Sequence, residues 1–282
     1  MRSLNNQSFK SLKSFLIDHY VLEEEYFIEF GDNLMHVETA FEELVRIYCF
    51  FPCKIIWNHK PDEEMTAKEL FRHLIGRLGK NSEVDKNIHE FIKGEPYGSK
   101  PEYNIHQWHL ARFYPNTAGE IFQDIKSIYL KIKSFDSFDA IFDEIAGAKG
   151  AEDAAAKTQN QQSRFKGFGA TCIYDTVFRM AYSLSKGDDN YFLFPKEYVY
   201  IHSKPGETAQ AIMKNGDMKS GKGRIAYSDI IDSSFMTGKI FAKYEMQPMD
   251  IENFLCLMHD AIFIIYNEDI KTKKRKSGRT CP

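Results

Sequence analysis

Apolar residues recur every three or four positions along much of the chain, a spacing that predicts amphipathic helices. Two stripes near the N-terminus are formed by Phe9, Leu12, Phe15 and Leu16, and by Phe41, Leu44, Val45 and Tyr48. Two further helices are predicted to begin at Thr66 and Thr117, because each threonine has a glutamate three residues later, and such a pair caps a helix N-terminus reciprocally. Ser137 predicts the cap of a shorter helix with the apolar face Phe138, Ile141, Phe142 and Ile145.

The second half of the chain mixes helical and strand patterns. A helical stripe is predicted at Ile173, Val177, Met180, Ala181 and Leu184. Residues 198–203 alternate and are rich in aromatic and β-branched side chains, so they predict a short strand, and residues 239–244 predict another. Residues 205–214 predict a short helix. Residues 249–266 are apolar almost all round, which predicts one buried helix.

The predicted fold class is mainly α with a few short strands, in two helical subdomains of which the second is α+β. Residues 146–164 contain no large apolar side chain and predict a linker. It would join an N-terminal helical domain, residues 1–145, to a C-terminal α+β domain, residues 165–270. Residues 271–282 are strongly basic and predict a disordered tail.

Composition narrows the class of protein. The 282 residues are 43% hydrophobic, 27% charged and 14% aromatic, which is typical of a globular protein. The net charge of −3 does not suit a protein that coats nucleic acid along its whole length. No apolar run is long enough for a membrane span, so no membrane partner is expected.

The cysteines and the N-terminus predict a cytoplasmic location. Five scattered cysteines, an odd number, suit free thiols in a reducing compartment, and Cys49 and Cys53 are expected to be buried among aromatic residues. Polar residues interrupt the N-terminal segment, so no signal peptide is expected. No set of three metal ligands stands out, and no cofactor is implied.

The segment "SRFKGFGATCIYD" carries the most suggestive chemistry. Gly167 permits a tight backbone turn, and Gly169 lets the start of the next helix approach a ligand closely. Backbone amides there, at the positive end of a helix dipole, favour a phosphate, and Arg164 and Lys166 add charge. The alternative is that the two glycines only allow close packing of two helices.

This segment resembles the helix-hairpin-helix motif of base-excision DNA glycosylases. The resemblance implies binding of a DNA or RNA backbone by residues around Gly167, Gly169 and Thr171, where Thr171 stands in place of the catalytic lysine of bifunctional members. Asp188 and Asp189 lie near the spacing of the family's catalytic aspartate, so a glycosylase-like hydrolase is the implied enzyme, if the protein is one. Tyr174 would be a candidate for stacking on a base. Lys274 and Arg275 of the basic tail would add phosphate contacts.

Two other functions remain open from the sequence. The first is a non-enzymatic helical adaptor or regulatory protein that binds another protein. The second is an enzyme for a nucleotide-like ligand, with His202 at a strand end and the segment Gly216 to Arg224 around a phosphate. That segment has the spacing of a phosphate-binding loop, but Gly223 replaces its Ser or Thr. The structural alternatives are a satisfied histidine and a mobile basic surface loop.

Overall fold

The computed structural model describes residues 2–31, 33–54, 134–146, 174, 177, 194–221 and 223–266. The chain divides into two compact units, residues 1–56 with 197–282 and residues 57–196. The described part is mainly helical, with one two-stranded antiparallel sheet, so the predicted fold class is confirmed. The two subdomains and their boundaries stay a prediction, because most of the proposed linker lies outside the described residues. The predicted helices at Thr66 and Thr117 also lie outside them.

The elements of the first unit are α1 (Asn6–His19), α2 (Glu24–Phe30), α3 (Val37–Phe50), β1 (Tyr198–Ile201), α5 (Ser203–Lys214), β2 (Gly223–Ala226), α6 (Tyr227–Ile230), α7 (Met236–Lys243), α8 (Pro248–Leu257) and α9 (His259–Ile265). Residues Asn33–Met35 form a 3-10 turn. In the second unit the structure describes α4 (Phe138–Ala146).

Both helices predicted near the N-terminus are confirmed as α1 and α3. The side chain of Asn5 caps α1, because its oxygen accepts a hydrogen bond of 2.7 Å from the Ser8 amide. Leu12 and Leu16 are fully buried, as expected for the inner face of an amphipathic helix. The chain around α1 is fixed at each end by an isolated antiparallel bridge, at Ser3 with His36 and at Tyr20 with Cys53.

The core of the first unit is aromatic. The rings of Phe41, Phe241 and Phe254 come from three different helices and meet edge to face, with centroids 5.5–5.8 Å apart. This arrangement matches the preferred geometry of aromatic pairs, which favours contact between ring edge and ring face. The cluster therefore joins α3, α7 and α8 into one packed layer.

The predicted strand at residues 198–203 is confirmed as β1, which pairs antiparallel with β2. The register places Tyr200 opposite Arg224 and Ile201 opposite Gly223. The chain then turns directly into α5, as predicted, and this helix packs against β1, α8 and α9. A Cβ atom on Gly206 would lie 2.7 Å from the Ile201 carbonyl oxygen, so the first turn of α5 lies directly against the strand end.

The predicted strand at residues 239–244 is wrong, because this segment belongs to α7 and its following turn. Ile240 and Phe241 are adjacent and both buried, whereas a half-buried strand would place neighbouring side chains on opposite faces. Gly238 explains the close packing: a Cβ atom there would lie 2.2 Å from the carbonyl oxygen of Asp232.

The single helix predicted at residues 249–266 is also wrong in part. The structure has two helices, α8 and α9, separated by Met258. The Leu255 carbonyl accepts a hydrogen bond of 2.8 Å from the buried hydroxyl of Thr208 on α5. A tertiary partner therefore satisfies a main-chain group beside the break.

In the second unit, the predicted helix after Ser137 is confirmed as α4, and the Ser137 hydroxyl accepts a hydrogen bond of 3.1 Å from the Ala140 amide. Tyr174 and Val177 are helical, and both side chains are buried. The Tyr174 ring packs against Phe138 with centroids 5.5 Å apart. These contacts place residues 174 and 177 on the inner side of their helix.

Candidate functional site

The residues predicted for nucleic-acid binding or catalysis lie outside the described residues; they are Arg164, Lys166, Gly167, Gly169, Thr171, Asp188, Asp189, Lys274 and Arg275. The described positions nearest to the glycine turn are Tyr174 and Val177. Val177 is fully buried, as its predicted place in the helical stripe requires. Tyr174 is 5% exposed and packs on Phe138, so its ring belongs to the core and is not presented to a base.

His202 lies directly after β1, at the strand end where the sequence predicts it. Its side chain is buried and does not cap α5, although His202 occupies the N-cap position of that helix. Its ring lies 6.5 Å from the ring of Tyr200. This environment is that of a core histidine rather than of a ligand-facing one.

The segment Gly216 to Arg224 is not a loop throughout, because Gly223 and Arg224 belong to β2. Arg224 is buried, its guanidinium lies 4.6 Å from the centre of the Tyr198 ring, and its Nη1 donates a hydrogen bond of 3.3 Å to the Tyr200 hydroxyl. Asp217 forms an ion pair with Arg2, and its carbonyl accepts from Thr237. The sequence predicts a mobile basic loop over this segment, and this prediction is wrong at Asp217 and at Arg224. The Arg224 side chain packs on the sheet.

Apolar side chains are exposed on the first unit. Ile28 is 83% exposed and Phe50 is 69% exposed.

The Arg46 guanidinium lies within 5.5 Å of the ring centres of Tyr26, Phe30 and Phe51 and also hydrogen-bonds Glu43. Its charge is therefore satisfied within the fold.

Cys49 is exposed, so its expected burial is wrong, whereas Cys53 is half-buried and packs against the core. Partial desolvation, and secondarily the charge of Asp250, raise the pKa of the Cys49 thiol. The thiolate, the reactive form of cysteine, is therefore disfavoured at this position.

A histidine between two carboxylates stands at the start of α9. The Nδ1 atom of His259 lies 2.6 Å from Asp260 Oδ1, and its Nε2 atom lies 3.4 Å from Glu207 Oε2 on α5. The hydrogen bond from His259 lowers the pKa of Asp260, and the charges of Lys204 and His19 lower it further. The histidine side chain is 10% exposed, and its ring packs on Phe263 with centroids 4.6 Å apart. Such a pair has the arrangement of a histidine oriented by a carboxylate.

Ser203, one helical turn before Glu207, has a backbone φ of 52°. This left-handed conformation is costly for a residue other than glycine and is concentrated at functional sites. Sequence reasoning missed both Ser203 and His259. The available signals were the abrupt change from strand to helix at "YIHSKPG" and the adjacent His–Asp pair in "MHDA", but neither reveals that the two segments meet.

Comparison with protein-family models, curated proteins and solved structures returned no significant match. Within the described ranges, no group of three or more His, Cys, Asp and Glu side chains is arranged to hold a metal ion. None of the described helices combines the length and apolar character needed to cross a bilayer.

Proposed function

We propose that this protein binds the phosphate backbone of DNA or RNA through the turn at Gly167 and Gly169. The observation that carries the proposal is the Gly-Phe-Gly spacing ahead of helical, buried positions 174 and 177. A helix anchored in a core can hold its first-turn amides in place, and such amides with the helix dipole form an anion site.

Positive side chains beside the turn supply the second part of the interaction. Arg164 and Lys166 precede Gly167 in the sequence, and Lys274 and Arg275 lie in the basic tail. Contacts of lysine and arginine with phosphates release counterions from the nucleic acid, so the affinity falls steeply as salt is added. The proposal is therefore one of backbone binding with little sequence preference.

A glycosylase-like hydrolase is the catalytic form of this proposal, with Asp188 or Asp189 as the carboxylate that stabilises a developing sugar cation. Bifunctional members of the family have a lysine nucleophile at the position of Thr171. Because threonine stands there in this chain, the expected reaction is release of a base without strand cleavage. A cytoplasmic location completes the proposal, supported by the odd number of scattered cysteines in the sequence.

The test is a binding titration with a duplex DNA and a single-stranded RNA at two salt concentrations. The double variant Arg164→Glu with Lys166→Glu should weaken binding by about tenfold or more and flatten the salt dependence. A matched double variant, Lys214→Glu with Lys239→Glu, reverses two exposed charges in α5 and α7 and should bind like the wild type. Affinity that responds neither to salt nor to the first pair would refute the proposal.

A protein-binding adaptor is the second candidate, favoured by the exposure of Ile28 and Phe50. Substitution of both by serine should abolish capture of a specific protein partner while leaving the melting temperature unchanged. Substitution of the exposed Ser228 and Ser234 by alanine is the matched control. Equal capture by both variants would argue against a role of Ile28 and Phe50 in protein binding.

A further inference from the structure

The turn from β1 into α5 holds a serine in a strained conformation at the surface. Ser203 is exposed and follows the end of the strand after one residue. Its φ of 52° is one of two positive values among the described residues other than glycine. The absence of a Cβ at Gly206 lets α5 start directly against the Ile201 carbonyl. A strained serine between a strand and a helix is the geometry that presents the nucleophile of many hydrolases.

The His259–Asp260 pair reaches the same face of α5. Ser203 and Glu207 are four positions apart in α5, the spacing of neighbours on one helix face, and this spacing corresponds to about 6 Å along the axis. The Nε2 atom of His259 lies 3.4 Å from the Glu207 carboxylate. This nitrogen is shielded from solvent and has no hydrogen-bond partner among the described residues. The Nε2 atom of His259 is therefore a buried base that faces Glu207, near the start of α5.

The geometry points to a site for acyl transfer in the first unit, with Ser203 as nucleophile, His259 as general base and Asp260 as the positioning residue. Its substrate class is a carboxylic ester that reaches Ser203 from solvent. This inference is independent of nucleic-acid binding, which is assigned to residues of the second unit and the tail.

The hydrogen bond to Asp260 decides which nitrogen of His259 can act. A proton on Nδ1 is donated to Asp260 Oδ1 at 2.6 Å, and this tautomer leaves the lone pair on Nε2. Nε2 can then accept the proton of the Ser203 hydroxyl. The Glu207 side chain is 65% exposed, so it can move away from Nε2 and admit the serine hydroxyl, and Asp260 stabilises the imidazolium that forms.

The reaction balances without a cofactor. The Ser203 oxygen forms a bond to the carbonyl carbon, and its proton passes to His259 Nε2. The bond between the carbonyl carbon and the alcohol oxygen then breaks, and the imidazolium returns the proton to the leaving alcohol. Water attacks the acyl-serine by the same route, releasing the acid and regenerating the serine. In this assignment the oxyanion would accept a hydrogen bond from the amide of Lys204, which follows Ser203 in the first turn of α5, where main-chain amides have no partner within the helix.

A fluorophosphonate probe tests the assignment on the full chain. The serine oxygen displaces fluoride from phosphorus, and mass spectrometry of peptides identifies the labelled residue. We expect one adduct, on Ser203, in the wild type and in the control variant Ser228→Ala, and none there in Ser203→Ala. His259→Gln should slow labelling by about 100-fold or more while the protein remains folded by circular dichroism.

Asp260→Asn tests the same assignment if His259→Gln fails to fold. Asp260→Asn should slow labelling strongly without a matching loss of melting temperature, whereas a merely structural role would change only the melting temperature. The wild type should also hydrolyse p-nitrophenyl butyrate faster than Ser203→Ala. Folded wild type that is not labelled at Ser203, labelling at the same rate in the folded His259 or Asp260 variant, or ester hydrolysis equal to that of Ser203→Ala would overturn the inference.

Discussion

The hydroxyl of Thr208 on α5 lies 2.8 Å from the carbonyl oxygen of Leu255 on α8, near the break between α8 and α9. The same hydroxyl is 2.9 Å from the Lys204 carbonyl in its own helix. Thr208 is completely buried, and its hydrogen bond with the Leu255 carbonyl is buried as well. The contact therefore ties α5 to the segment that places His259.

Thr208→Val should lower the free energy of unfolding by about 1–3 kcal/mol, because valine keeps the shape but leaves a buried carbonyl without its donor. Thr208→Ser keeps the hydroxyl and should lose less, about 1 kcal/mol for the missing methyl group. Urea denaturation of the three proteins measures both values. Equal stability of Thr208→Val and wild type would show that the hydrogen bond contributes nothing.

Ser203→Gly and Glu245→Gly should each raise the free energy of unfolding by about 1 kcal/mol, since glycine relieves the left-handed strain at φ of 52° and 51°. The reverse change, Gly216→Ala, should destabilise by a similar amount, because φ is 75° there and no atom lies within 4 Å of the added carbon. Thermal unfolding measures all three. A stabilised Ser203→Gly that is no longer labelled by the probe would fit a trade of stability for activity.

Gly238→Ala should destabilise the protein by about 1–3 kcal/mol, more than Gly216→Ala. The added Cβ atom would lie 2.2 Å from the Asp232 carbonyl oxygen and 2.7 Å from that of Ile230, and backbone atoms cannot move aside as a flexible side chain can. Comparison of denaturation midpoints of the two variants measures the steric part. If Gly238→Ala were as stable as wild type, the close approach of α7 to this turn would be contradicted.

The depressed pKa of Asp260 predicts a dependence of stability on acid pH. Its hydrogen bond with His259 holds the pKa below its ordinary value of 3.8. The contribution to stability is therefore complete above the unfolded value and is lost as pH falls through the folded one. The difference in unfolding free energy between wild type and Asp260→Asn should be constant above about pH 5 and shrink below about pH 4. A difference that does not change with pH would contradict the pairing.

Local sequence pattern was enough for much of the fold. The stripe of Leu12 and Leu16 predicted α1, the alternation from Tyr198 predicted β1, and Ser137 predicted the start of α4. In each case the deciding interactions lie within a few residues: a cap, a buried face or a strand period. Such signals can be recognised in the sequence alone.

The predictions that were wrong depended on distant partners. Residues 239–244 fit a strand by composition, but Ile240 and Phe241 lie in helix α7. The Phe241 ring packs on Phe41 and Phe254. The break at Met258 lies beside the contact with Thr208. The burial of Arg224 depends on its contacts with Tyr198 and Tyr200. No local pattern contains these contacts, because tertiary packing overrides propensity.

The sequence by itself determined a mainly helical protein and marked Gly167 and Gly169 as a phosphate-binding candidate, since helix periodicity and glycine spacing are local properties. Only the tertiary structure decided that Ser203 is strained, and that His259, 56 positions later, lies beside the helix that Ser203 begins. The physical reason is that a backbone dihedral angle and the distance between two elements are fixed by the packing of α5 on α8 and α9, which no short segment encodes.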